Sequence, residues 1–135
     1  AEAAYKKAAT MPGGEQRAKR GLNLVAKAKE GARQDLTLAD DLAKKKQTSS
    51  AIDKYHTAIY ENPRVAASRL GVAKTLEQVK PLGSKDLKEA VVQYTAYLAL
   101  SPELPVKERQ KIEKKIESLK EKAFKLEQKE KEKGR

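Results

Sequence analysis

Two stretches of this sequence, residues 51–63 (AIDKYHTAIYENP) and residues 90–102 (AVVQYTAYLALSP), share one spacing and decide the fold. Each has alanine at offset 0, tyrosine at offset 4, alanine or tyrosine at offset 7 and proline at offset 12, and the second begins 39 residues after the first. Offsets 0, 4 and 7 lie on one face of an α-helix, and proline stops a helix. The pattern therefore predicts helices that pack through a small residue and an aromatic ring.

Other parts of the chain repeat the same features. Residues 1–12 hold a third, weaker copy whose proline stands one residue early. Gly21 and Gly71 each follow one of these prolines, and we expect them to provide the close contact on the partner helix. Tyr55 and Tyr94 occupy the packing position and are predicted to be core residues, whereas Tyr60 is predicted to be freer.

Composition favours an all-α protein. Aromatic residues make up 4% of the 135 residues, and the mean hydropathy is −0.80. The chain therefore has too little aromatic and β-branched material for a sandwich or barrel. Proline- and glycine-containing breakers separate runs rich in alanine, leucine, lysine and glutamate, all of which are typical of helices. The helices that we expect are 1–10, 15–30, 35–46, 50–61, 64–79, 85–100 and 105–130.

The last of these helices has its own pattern. Its apolar residues recur at steps of four and three: Ile112, Ile116, Leu119, Ala123 and Leu126. This seam favours a terminal capping helix, and a coiled coil with a partner helix is the alternative. Beyond Leu126 no apolar residue remains to be buried, so we expect the end of this helix to protrude or fray.

Ser84 is the expected N-cap of the preceding helix, 85–100. The predicted division is a repeat region at 1–105 and a charged capping helix at 106–135.

The spacing of small residues, aromatics, glycines and prolines resembles the tetratricopeptide (TPR) family. The resemblance implies antiparallel helix pairs stacked as a right-handed superhelix, with a concave face that binds an extended peptide or a partner domain. Two features depart from the family pattern: the chain contains no tryptophan, and its units are 39 residues apart instead of about 34.

Three phrases, at 39–46, 62–74 and 90–105, resemble the TPR region of aspartyl/asparaginyl β-hydroxylase. In that family a helical-repeat segment precedes an iron- and 2-oxoglutarate-dependent oxygenase domain in the endoplasmic reticulum lumen. The resemblance implies that this chain is a non-catalytic part of such a protein, in that compartment. Without it, a cytoplasmic location is the expectation. A spacer that binds nothing tightly is a further hypothesis.

The residues that catalysis and metal binding need are scarce in this sequence. Cysteine is absent and His56 is the single histidine, so neither a thiolate site nor a two-histidine iron site can form. No phosphate-binding or nucleophile-elbow motif occurs. Asp40 and Asp41 are flanked by lysines and are expected to be solvated. We therefore predict no enzymatic activity, no metal and no cofactor for this chain alone. No apolar stretch approaches the roughly 20 residues of a membrane span.

The charge balance of the chain is strongly basic, with 30 Lys and Arg against 19 Asp and Glu and a formal net charge of +11. Such a field favours anionic partners. The candidate partner-binding residues on the expected concave face are Lys19, Asn23, Lys27, Arg69 and Lys74. They predict a protein or peptide partner with acidic character. The alternative is a basic module that binds a polyanion, either nucleic acid or an acidic surface.

Overall fold

The structure of the chain is a computed structural model, and it describes residues 15–134, with side chains from Arg17 onward. This part of the chain contains α-helices and no strand, which confirms the all-α prediction. The helices are α1 (Glu15–Lys44), α2 (Thr48–Glu61), α3 (Ala66–Leu76), α4 (Ser84–Ala99) and α5 (Val106–Lys133). The helix expected over 1–10 and the weaker repeat copy at 1–12 lie outside the described residues.

The two helices expected over 15–30 and 35–46 are a single helix, α1, so this prediction was wrong. The stretch contains no proline, and Gly31 costs a helix only about 1 kcal/mol relative to alanine. Ala32, inside the expected break at 31–34, and Ala39, after it, are both buried by packing. The free energy gained by burying one continuous face of the helix therefore outweighs the cost of placing Gly31 within it.

A left-handed turn ends α1. Lys46 has a φ of 60°, and its N–H donates to the carbonyl of Ala43 at 3.0 Å. The N–H of Gln47 donates to the carbonyl of Leu42 at 2.9 Å, which completes the closure typical of a helix C-terminus. The turn reverses the chain, so α2 packs back along α1.

Each helix packs against the next one in the chain, and α1 also touches α3. In the first pair, Tyr55 contacts Asp40 close to the connecting turn. At the far end of the pair, the Glu61 side chain lies against Gly31. A residue later in α2 thus contacts a residue earlier in α1, which shows that the two helices run in opposite directions. α1 and α2 thus form a helical hairpin, and the later helices continue the packing of each helix on the next.

Two buried tyrosines each join two neighbouring helices, and their burial confirms what the repeat predicts. Tyr55 is 2% exposed and Tyr94 is 1% exposed. The Tyr55 hydroxyl donates to Asp40 Oδ1, and the Tyr94 hydroxyl donates to Glu77 Oε2, each at 2.5 Å. Burial and the neighbouring carboxylate together raise the pKa of both phenols, so both remain protonated donors at neutral pH. Tyr55 is therefore bound to α1, and Tyr94 is bound to the end of α3.

Gly71 permits the close approach of α3 to α2. A Cβ atom placed on Gly71 would lie 2.5 Å from Cε1 of Tyr55, a separation that packed atoms do not reach. The prediction that this glycine provides a close contact on the partner helix is confirmed. Ala51, which starts the repeat in α2, and Ala90, which starts it in α4, are both fully buried.

The core continues into the C-terminal helix. The apolar seam of α5 packs with Leu87 and Tyr94 of α4 in the same cluster that contains Tyr55. The seam of α5 is therefore occupied by the chain's own helices, and the core crosses the expected boundary between residues 105 and 106. The members of the seam are Ile112, Ile116, Leu119, Ala123 and Leu126.

Replacing Tyr94 by phenylalanine should destabilise the protein by about 1–2 kcal/mol, because the ring remains packed but the hydrogen bond to Glu77 is lost. Tyr60→Phe is the matched control, since Tyr60 is 90% exposed, and it should leave stability unchanged. Urea unfolding followed by circular dichroism measures both. Equal midpoints for the two variants would contradict this role of the hydroxyl.

Gly71→Ala and Gly31→Ala should change stability in opposite directions. At Gly71 the added methyl group meets the Tyr55 ring, which is buried and cannot retreat, so we expect a loss of about 1–3 kcal/mol. At Gly31 it meets only the flexible end of the Glu61 side chain. There the helix propensity of alanine should give a gain of up to about 1 kcal/mol. Thermal unfolding of the two variants provides the comparison, and a stabilised Gly71→Ala protein would refute the packing argument.

Candidate functional site

The predicted partner-binding residues of α1 form one exposed row. Lys19, Asn23 and Lys27 follow each other at intervals of four residues and are all exposed. The buried Ala18 and Ala32 lie on the other side of the helix. No ion pair holds either lysine within the described residues, so both ammonium groups can bind an anionic partner.

The two predicted residues of α3 differ from each other. Lys74 is exposed, and the described residues give it no ion pair. Arg69 is held inside the chain: Nη1 donates to Gln93 Oε1 and Nη2 donates to the carbonyl of Pro63, each at 3.1 Å. Its Nε is buried without a hydrogen-bond partner. The guanidinium therefore joins the turn after α2 to α4, and it is a structural contact in this arrangement.

A second arginine, Arg109, also binds backbone carbonyls of the chain, and sequence reasoning did not single it out. Nη2 of Arg109 donates to the carbonyl of Ser101 at 2.7 Å and to that of Leu98 at 3.2 Å. These carbonyls belong to the end of α4 and the turn that follows. Arg69 stands six residues after Pro63, and Arg109 seven after its proline, Pro102. An arginine six or seven residues after the proline of each of these two repeat copies was the signal that could have identified the pair.

Polar contacts hold the charged end of α5 beside α4. Glu127 pairs with Lys88 at 2.9 Å. The carboxylate of Glu130 accepts from the Ser84 N–H at 2.9 Å and from the Ser84 hydroxyl at 2.6 Å. The expectation that the helix protrudes or frays beyond Leu126 is wrong for residues 127–130. There the contacts with Lys88 and Ser84 hold the helix in place of apolar contacts. Glu130 binds the first turn of α4, whereas Arg109 binds its last, so α4 and α5 are antiparallel.

The N-terminus of α4 is also capped differently from the prediction. Ser84 is the first residue of the helix and not its cap. The capping position belongs to Gly83, whose N–H donates to Asp86 Oδ2 at 2.9 Å. Glu130 and Asp86 thus place two carboxylates at the positive end of the helix dipole. The hydrogen bonds from Ser84 lower the pKa of Glu130, and the Lys88 ammonium lowers that of Glu127.

An open cleft of about 940 Å³ lies where the turn after α1 and the turn after α3 meet. Its lining carries both signs of charge, with Lys46 and Lys80 opposite three acidic residues. Two of those carboxylates are already engaged, Glu77 with Tyr94 and Asp86 with the Gly83 amide. The cleft is therefore lined by mixed charges, and part of its polar lining is already used in contacts within the chain.

Two further contacts between titratable side chains join helices. His56 Nε2 lies 2.5 Å from Glu89 Oε1, which links α2 to α4. The carboxyl groups of Glu61 and Asp35 share a hydrogen bond that raises the pKa of Glu61. Residues 15–134 hold no group of three His, Asp or Glu side chains placed to bind a metal ion. Among the same residues, no helix has the length and apolar character to span a bilayer.

Comparison of the chain with protein-family models, with curated proteins and with solved structures gives no match.

Glu130→Gln should lower the melting temperature at neutral pH, because the uncharged amide interacts more weakly with the Ser84 donors. The pKa of Glu130 is lower in the folded protein than in the unfolded chain. The stability that this carboxylate contributes is therefore complete above the unfolded-state pKa, about 4.3, and is lost as pH falls through the folded-state pKa. Melting curves of both proteins between pH 7 and pH 2 should therefore converge in acid. Glu132→Gln, an exposed neighbour without a recorded ion pair in the described chain, is the control. A pH-independent difference for Glu130→Gln would contradict the assignment.

Proposed function

We propose that this chain is a non-catalytic interaction module made of TPR-like helix pairs, stacked as a right-handed superhelix whose concave face binds an extended acidic peptide. The observation that carries the proposal is the repeated bond between a buried tyrosine and a carboxylate of the preceding helix, Tyr55 with Asp40 and Tyr94 with Glu77. A unit that recurs with the same internal contact is the basis of helical-repeat proteins, which commonly bind other proteins.

Contacts between corresponding helices support the stacking. His56 of α2 meets Glu89 of α4, and these are the second helices of successive hairpins. Glu77 at the end of α3 accepts a hydrogen bond from Lys115 of α5 at 3.0 Å, and these helices are first in their units. Both contacts join helices that hold corresponding positions in successive units, and they support the proposed stacking of neighbouring units.

The charges on the first helices support an acidic ligand. Lys19, Lys27 and Lys74 are exposed cations, and the described residues provide no carboxylate that neutralises them. Asn23, between the two lysines of α1, adds an amide that can bind backbone groups. Arg69 contributes by positioning α3 against α4, since its donors are already used within the chain.

The resemblance of residues 39–46, 62–74 and 90–105 to aspartyl/asparaginyl β-hydroxylase extends the proposal. In this form the chain is the TPR segment of a larger oxygenase of that type in the endoplasmic reticulum lumen. The catalytic iron and 2-oxoglutarate then belong to another domain, and this segment supplies a binding surface.

A fluorescent peptide with alternating glutamate and alanine tests the proposal. Changing Lys19, Lys27 and Lys74 together to glutamate should weaken its binding at least about tenfold, because three attractive charges become repulsive. Fluorescence anisotropy at 50 mM salt measures the affinity.

The matched control is Lys114, Lys122 and Lys129 changed to glutamate, which alters the net charge by the same amount on α5. The peptide should bind this control like the unchanged protein. Equal weakening by both triple variants, or no binding of the peptide at all, would refute a specific acidic-peptide site on α1 and α3.

A further inference from the structure

Six lysines and one serine form a single row along α5. Their positions follow each other at steps of four, three, four, four, three and four residues, so they share one face of the helix. At a rise of 1.5 Å per residue the row is about 33 Å long. Its members are Lys107, Lys111, Lys114, Ser118, Lys122, Lys125 and Lys129. We call it the lysine row.

Most of the charge of the lysine row is not neutralised. All six lysines are exposed. Four of them have no ion pair in the described chain, and the other two, Lys111 and Lys125, have one each, with Glu108 at 3.9 Å and Glu121 at 3.2 Å. Exposed pairs of this kind contribute little binding energy and are easily replaced by a stronger anion. The row is therefore a line of available positive charge.

Packing holds the lysine row toward solvent. The apolar seam of α5 is buried against α4, and the row lies about 120° around the helix from that seam. Glu127 and Glu130 bind Lys88 and Ser84, which fixes the last turns of α5 in the same orientation. Glu113 and Glu117 lie on a third face, about 120° from both the seam and the row. The row is thus presented on a rigid, anchored helix.

We propose that the lysine row binds the phosphate backbone of a nucleic-acid duplex without reading its sequence. Lysine is a point charge that contacts phosphates, and a duplex presents one charge per roughly 1.7 Å of its axis. This surface is distinct from the Lys19, Lys27 and Lys74 set, so the inference goes beyond the proposed peptide-binding function.

The chemistry of the row favours a duplex over other anionic partners. Protein interfaces are depleted of lysine and centred on apolar or aromatic residues, and the row contains neither. An acidic membrane is bound by amphipathic helices that insert apolar side chains, but the apolar seam of α5 is packed in the core and the lysine row carries no apolar side chain. Binding of single strands relies on aromatic stacking, for which the row has no ring.

The test is a salt titration of the 135-residue chain with a fluorescent 30-base-pair duplex of mixed sequence. If the six lysines each displace one counterion, affinity should fall about 10³-fold between 50 and 200 mM salt. With Lys114, Lys122 and Lys129 changed to glutamine, the row keeps three lysines. Affinity should then be lower at 50 mM salt and should fall only about 40-fold over the same range.

The matched control is Lys19, Lys27 and Lys74 changed to glutamine, which removes the same charge elsewhere and should keep the salt dependence of the unchanged chain. Circular dichroism melts confirm that all the proteins are folded, as expected for exposed lysines. The proposal is overturned by equal loss of salt dependence in both triple variants, by no duplex binding at 50 mM salt, or by binding to phosphatidylserine vesicles in place of the duplex. None of these results bears on the peptide assay, so the two functions fail independently.

Discussion

The fold depends on a buried hydroxyl that must find an acceptor. A phenol removed from water without a hydrogen bond costs several times the free energy that the bond itself contributes. Tyr55 and Tyr94 each meet this requirement with a carboxylate on the preceding helix. The acceptor fixes the height at which the two helices of a hairpin pass each other, because a shift by one turn of about 5.4 Å would break the bond. Gly71 then sets the separation of the next helix from the Tyr55 ring.

The cations of this chain have three different environments. Arg69 and Arg109 point inward and hold the carbonyls of inter-helix turns, for which their planar donors are well suited. Lys88 and Lys115 join helices through carboxylates. A third set of exposed lysines forms no ion pair within residues 15–134: Lys19 and Lys27 on α1, Lys74 on α3, and Lys107, Lys114, Lys122 and Lys129 on α5. A high net charge alone could not separate these groups, since all of them contribute equally to +11.

The C-terminal helix combines apolar and ionic anchoring. Its seam contributes to the core as far as Leu126, and Glu127 and Glu130 continue the attachment where apolar residues end. The partner of Glu130 is the N-terminus of α4, where free N–H groups and the helix dipole favour a carboxylate. The same helix therefore closes one side of the core and exposes a straight lysine face on another.

The sequence by itself determined the helical class, the inward direction of Tyr55 and Tyr94, and the need for a glycine at Gly71. These follow from spacing and residue size, which act between neighbours on one helix face. Tertiary structure alone decided that α1 is continuous, that Arg69 is engaged within the chain, and that Glu130 binds the start of α4. The physical reason is that burial can override a weak helix position, and that a charge takes its role from the groups on adjacent helices, which sequence spacing does not specify.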